Sequence, residues 1–71
     1  KAQNQLGIRY RDGIGVAANP VEAYAWFSVA VNNGFTKAEA HLSDLEKTMN
    51  ADQISKAKAL AGKYAEEYKP K

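Results

Sequence analysis

Apolar positions along this chain recur at intervals of three and four residues and never in strict alternation, which is the pattern of helices rather than strands. Ala2, Leu6 and Tyr10 share one face of a first helix running from about Ala2 to Arg11. Gly7 adjoins that face. A glycine inside a helix costs up to about 1 kcal/mol relative to alanine, so close approach of a neighbouring helix is the expected compensation. The stretch Asp12-Gly13-Ile14-Gly15-Val16 ends the helix, because glycine can take the left-handed conformation past the last turn. Asn19-Pro20-Val21-Glu22 reads as a helix start: asparagine caps, proline at the first helical position has no amide hydrogen to leave unpaired, and Glu22 faces the positive helix end. The second helix continues to about Asn33 with Ala23, Trp26, Phe27 and Ala30 as its buried stripe, and Gly34 stops it.

Thr36-Lys37-Ala38-Glu39 fits the capping-box pattern, and Ala38, Leu42, Leu45 and Met49 then mark a third amphipathic helix. Asn50-Ala51-Asp52-Gln53 repeats the start logic with Asn50 as cap. Ile54, Ala57, Ala61, Tyr64 and Tyr68 give a fourth helix ending near Pro70. The prediction is an all-α chain of four helices in two consecutive antiparallel hairpins. A shift of 36 residues superposes the two halves, pairing Lys1 with Lys37, Ala2 with Ala38, Leu6 with Leu42, Ala23 with Ala59 and Ala25 with Ala61. That spacing is a period typical of helical solenoids.

The run Ala2…Leu6-Gly7…Tyr10…Gly13-Ile14-Gly15-Val16…Glu22-Ala23…Trp26…Ala30…Gly34 resembles the Sel1-like repeat, a relative of the tetratricopeptide repeat. The resemblance covers residues 2–34, so residues 1–34 read as a full repeat. Residues 35–69 keep Ala38 and Leu42 but lack the Gly-x-Gly-Val loop, the tryptophan and the closing glycine. They read as a degenerate unit capping the stack, with residues 70–71 as a tail. The resemblance implies an α-solenoid of antiparallel helix pairs that serves as an adaptor for other proteins. It implies a non-enzymatic family, common in bacteria and often exported.

With 71 residues the chain is one small domain. It has no cysteine, which removes disulfides and thiolate zinc sites and leaves the redox compartment open. Ten Lys and Arg against eight Asp and Glu leave a net charge of +2, too mild to argue for nucleic acid. The longest apolar stretch, Ala23 to Val31, is interrupted by Ser28 and is about half of a membrane span. The chain opens on Lys1 without a signal-peptide pattern, which reads as an internal piece or a processed chain and leaves both periplasm and cytoplasm open.

Candidate chemistry is thin. His41 is the only histidine, and without cysteine or a second histidine a metal would have only carboxylates beside it, so a packing role is expected and no cofactor or metal is assigned. Ser28, Ser43 and Ser55 have no evident base. Gly13-Ile14-Gly15 follows a helix, not a strand, and reads as a turn rather than a phosphate cradle. Trp26 is expected to pack on the first helix and the next hairpin, and Tyr24, about 200° around the helix from it, to be exposed.

One set of positions suggests a partner. Lys1, Asn4, Ile8 and Arg11 lie 140–220° from Leu6 at about 100° per residue, and their counterparts are Lys37, Ala40, Asp44 and Lys47. In hairpin solenoids the first helix of each unit lines the concave surface. Lys1, Asn4, Ile8, Arg11, Lys37, Asp44 and Lys47 are therefore the expected contact surface for another protein or peptide segment, one with acidic groups and an apolar anchor. The expected function is a non-enzymatic interaction or scaffold module. The alternatives are a purely structural cap of a longer repeat protein and, against the weight of the residues, a small enzyme domain.

Overall fold

The computed structural model describes the backbone of residues 2–67 and the side chains of residues 4–67. It contains helices α1 (Ala2–Asp12), α2 (Pro20–Asn32), α3 (Ala38–Thr48) and α4 (Ala51–Glu67), and no strand among the described residues. The expected all-α fold of four helices is what the chain adopts. The expected end of the last helix near Pro70 lies outside the described residues.

The first loop closes as its glycines dictate. Gly13 and Gly15 have φ of 71° and 75°. Beyond Gly13 the Ile14 amide donates to the Arg9 carbonyl (3.0 Å), the long bond of a Schellman close. The Asn19 amide then donates to the Tyr10 carbonyl (2.7 Å), which pins the end of α1 to the start of α2. Asn19 Oδ1 in turn accepts from the amides of Val21 (3.1 Å) and Glu22 (3.2 Å), with Pro20 in the first turn. At the far end of α2, Gly34 sits at φ 97° and the Phe35 amide reaches the Ala30 carbonyl (2.9 Å), a second Schellman close. Its following residue, Phe35, packs against the core.

Of the two helix starts the sequence offers in the second half, the side-chain cap forms at Asn50 and not at Thr36. At α3 no side chain caps: Lys37 occupies the cap position in helical geometry, and the carbonyls of Phe35, Thr36 and Lys37 take the amides of Ala38, Glu39 and Ala40 in tight three-residue turns. At α4 the reciprocal pair is complete. Asn50 Oδ1 accepts from the Gln53 amide (2.8 Å) and Gln53 Oε1 accepts from the Asn50 amide (3.0 Å).

α2 is the helix on which the others converge; α1, α3 and α4 each pack against it. Its sequence makes that possible, since Ala23, Tyr24, Ala25, Trp26, Phe27, Val29 and Ala30 are all buried, so α2 is covered nearly all round. The alanines let neighbouring backbones come close while Phe27, Val29 and Trp26 fill the space between. α3 contributes Ala38 and Leu45, with Met49 just beyond it, and α4 contributes Ala57. The radius of gyration, 10.9 Å, is close to the ~11 Å of a chain this long packed at normal density. The first hairpin closes by packing of α1 on α2, whereas α3 and α4 both lie chiefly on α2. The 36-residue correspondence is kept at Leu6 and Leu42, both half-buried, and lost at Ala23 and Ala59, one buried and the other exposed.

Candidate functional site

α1 meets the core through Gly7. A methyl group built at Gly7 would lie 2.6 Å from Cδ1 and Cε1 of Phe27, whose side chain is fully buried. The glycine is the close-approach position the sequence implied. It is also the centre of the packed face, and this rotates α1 by about 100° from the orientation centred on Leu6. Asn4 and Gly7 are buried, Leu6, Ile8, Tyr10 and Arg11 are half-buried around them, and Gln5, Arg9 and Asp12 point to solvent.

That rotation corrects half of the expected contact surface. Asn4 was expected to face solvent and is 9% exposed; its Oδ1 has no hydrogen-bond partner among the described residues. Ile8, expected as an apolar anchor for a partner, packs against the protein's own core. Arg11 is half-buried and bonded within the chain. Lys37, at the cap of α3, and Asp44 and Lys47 on α3 are exposed, and Lys1 lies outside the described residues.

Arg11 and His41 form the most organised polar cluster. The His41 ring stacks on Phe27 with centroids 4.6 Å apart and planes 21° from parallel. Phe27 is thereby held between α1 at Gly7 and α3 at His41. The Arg11 Nη1 lies 2.9 Å from His41 Nδ1. Arginine only donates, so Nδ1 is the acceptor and the ring proton is on Nε2. The other edge of the guanidinium holds Asp12 with two bonds, Nε to Oδ1 at 2.9 Å and Nη2 to Oδ2 at 3.1 Å. The hydrogen bond from Arg11 holds the Asp12 carboxyl below the usual range, and the same bond raises Arg11, with Asp44 adding its charge. The expectation that His41 packs is met; its link to Arg11, thirty residues away, needed the adjacency of α1 and α3, which spacing alone does not give.

Two tyrosines tie the outer helices to α2. Tyr24, expected to be exposed, is 5% exposed, because α3 lies over that side of α2. Its hydroxyl donates to Glu46 Oε2 at 2.8 Å. Burial, then the bond to Glu46 and its charge, push the Tyr24 phenol up to about 12. Tyr64 of α4 donates to Glu22 on α2, 3.1 and 3.0 Å from its two oxygens, and its ring stacks on Trp26 at 4.5 Å. Burial and the Glu22 contact push Tyr64 up to about 12 as well. Among the described residues no group of three or more His, Asp and Glu could hold a metal ion, and no helix is long and apolar enough to cross a membrane.

No family model matches the chain. A stretch of 44 residues, 62% of the chain, is 43% identical to chitin synthase regulatory factor 3 of the fission yeast Schizosaccharomyces pombe. The chain spans about 5% of that protein's length.

Proposed function

We propose that this chain is a protein-interaction module of the Sel1-like type, working by surface complementarity rather than by chemistry. Residues 2–34 carry the repeat pattern, and α3 and α4 both pack on α2 of that unit. The observation that carries the reading is the division of the polar residues. Those near the core hold helix to helix, as Tyr24 with Glu46 and Tyr64 with Glu22 do. Among those left in solvent are Lys37, Asp44 and Lys47 of the α3 region, with the half-exposed Arg11–Asp12 pair at the end of α1. The partial similarity to a regulatory factor is in keeping with an interaction role and goes no further than that.

The test is binding by the chain and by a Lys37→Glu, Lys47→Glu variant to polypeptides captured on the immobilised chain. Both lysines are exposed, so the variant should fold normally and its capture should fall by tenfold or more. Equal capture would remove this face as the interface. A second reading, a structural cap, is favoured by the outer face of α4, where Lys56, Lys58, Lys63 and Glu67 are exposed. A terminal unit needs such a polar outer surface.

A further inference from the structure

Arg11 is built differently from the lysines around it. Its guanidinium is held from behind by His41, and His41 is itself stacked on the fully buried Phe27. The side chain is thus fixed in direction, and the edge formed by Nε and Nη2 is turned toward a carboxylate. That carboxylate belongs to the next residue, Asp12. The pair is open to solvent, with 32% and 44% of the two side chains exposed. Exposed ion pairs contribute little to stability, so the pairing is easily exchanged. A planar fork with two parallel donors favours a carboxylate over any other common protein group.

We propose that Arg11 is a carboxylate receptor on the α1–α3 face and that Asp12 is its internal occupant, displaced when an acidic segment of a partner protein binds. This rests on the interaction-module reading and adds to it the chemistry of the partner and a built-in competitor. Lys37, at the cap of α3 four residues before His41, is exposed and adds a positive charge; Asp44, three residues after His41, acts on Arg11 with the opposite charge. Removing either acid should therefore strengthen binding, which a simple lysine patch would not require of these two positions in particular.

The probe is hexaglutamate, titrated into the 71-residue chain and followed by nitrogen-edited NMR, with hexaglutamine as the neutral comparison. The side-chain signals of Arg11 Nε and His41 Nε2 should move with hexaglutamate and stay with hexaglutamine. Asp12→Asn should tighten hexaglutamate binding about three- to tenfold, and Asp44→Asn should tighten it to a smaller extent. Asp52→Asn makes the same change of net charge at an exposed position on α4 and should leave the affinity within twofold. Arg11→Gln should abolish the shifts at His41. Equal tightening by Asp12→Asn and Asp52→Asn would reduce the effect to general charge and overturn the proposal. If Asp12→Asn has no effect on hexaglutamate while Lys37→Glu, Lys47→Glu still loses captured polypeptide, the receptor fails and the interaction face stands. If that lysine variant also binds normally, both fail.

Discussion

A hydrogen atom at position 7 decides how α1 approaches the core. With Phe27 only 2.6 Å from where a methyl carbon would sit, and its ring closed off on the α3 side by His41, the ring has little room to yield. Gly7→Ala therefore sets two effects against each other. Alanine gains up to about 1 kcal/mol in helix propensity. Overpacking a filled core costs about 1–3 kcal/mol. A 2.6 Å approach to a fully buried ring puts the overpacking toward the upper end of its range, and urea denaturation should show a net loss of up to about 2 kcal/mol, with a drop in melting temperature of about 4–8 °C per kcal/mol in a domain this size. A gain in stability would mean that Phe27 can move aside. The same residue explains what the sequence concealed. Centring α1 on Leu6 is the natural reading of an apolar pattern, since glycine carries no apolar side chain to mark a face. Placing the centre one residue later turns Asn4 and Ile8 inward and brings Arg11 to His41.

Helix ends and helix-to-helix ties act at the next scale. Capping motifs were legible as candidates, at Thr36 and at Asn50, but which of them closes depends on the chain before it. The Schellman close after α2 carries directly into tight turns, and the carbonyls of Phe35, Thr36 and Lys37 satisfy the first amides of α3 before the Thr36 side chain is needed. Asn50 follows an extended Met49 and has no such alternative. Asn50→Ala should thus cost about 0.5–2 kcal/mol, and Thr36→Ala should stay within about 0.5 kcal/mol; equal losses on denaturation would place a working cap at both. The tyrosines give a pH dependence. An unfolded phenol ionises near 10, and in the fold Tyr24 and Tyr64 are held up to about 12. With the folded value raised, the contribution is fully present below pH 10 and is lost as pH rises toward 12. Denaturation midpoints of the wild type should fall across that window, and those of Tyr24→Phe, Tyr64→Phe should fall less. Parallel curves would mean that neither hydroxyl is tied to its glutamate.

At the scale of the molecule, three helices share one partner. The sequence makes α2 the most apolar element and its neighbours amphipathic, and this much of the architecture was legible: four helices, their order, the buried stripe of α2, and the inward positions Ala38, Leu45 and Met49 of the α3 region and Ala57 of α4. The all-round burial of α2 was less so, because Tyr24 and Val29 lie off the four-residue stripe and are covered only once α3 and α4 are placed. Such an arrangement has a mechanical consequence. No helix can leave without uncovering part of α2, and the apolar surface that holds α1 is continuous, through Phe27, with the surface that holds α3. Unfolding should then be a single transition. Trp26 is the only tryptophan and sits on Tyr64 at the seam between α2 and α4, so its fluorescence reports that seam while far-ultraviolet dichroism reports all four helices. The two curves in urea should superimpose, with one midpoint and one slope. If dichroism falls at lower urea than fluorescence, α1 or α3 separates first. The packing through Phe27 would then not couple the helices as the geometry requires.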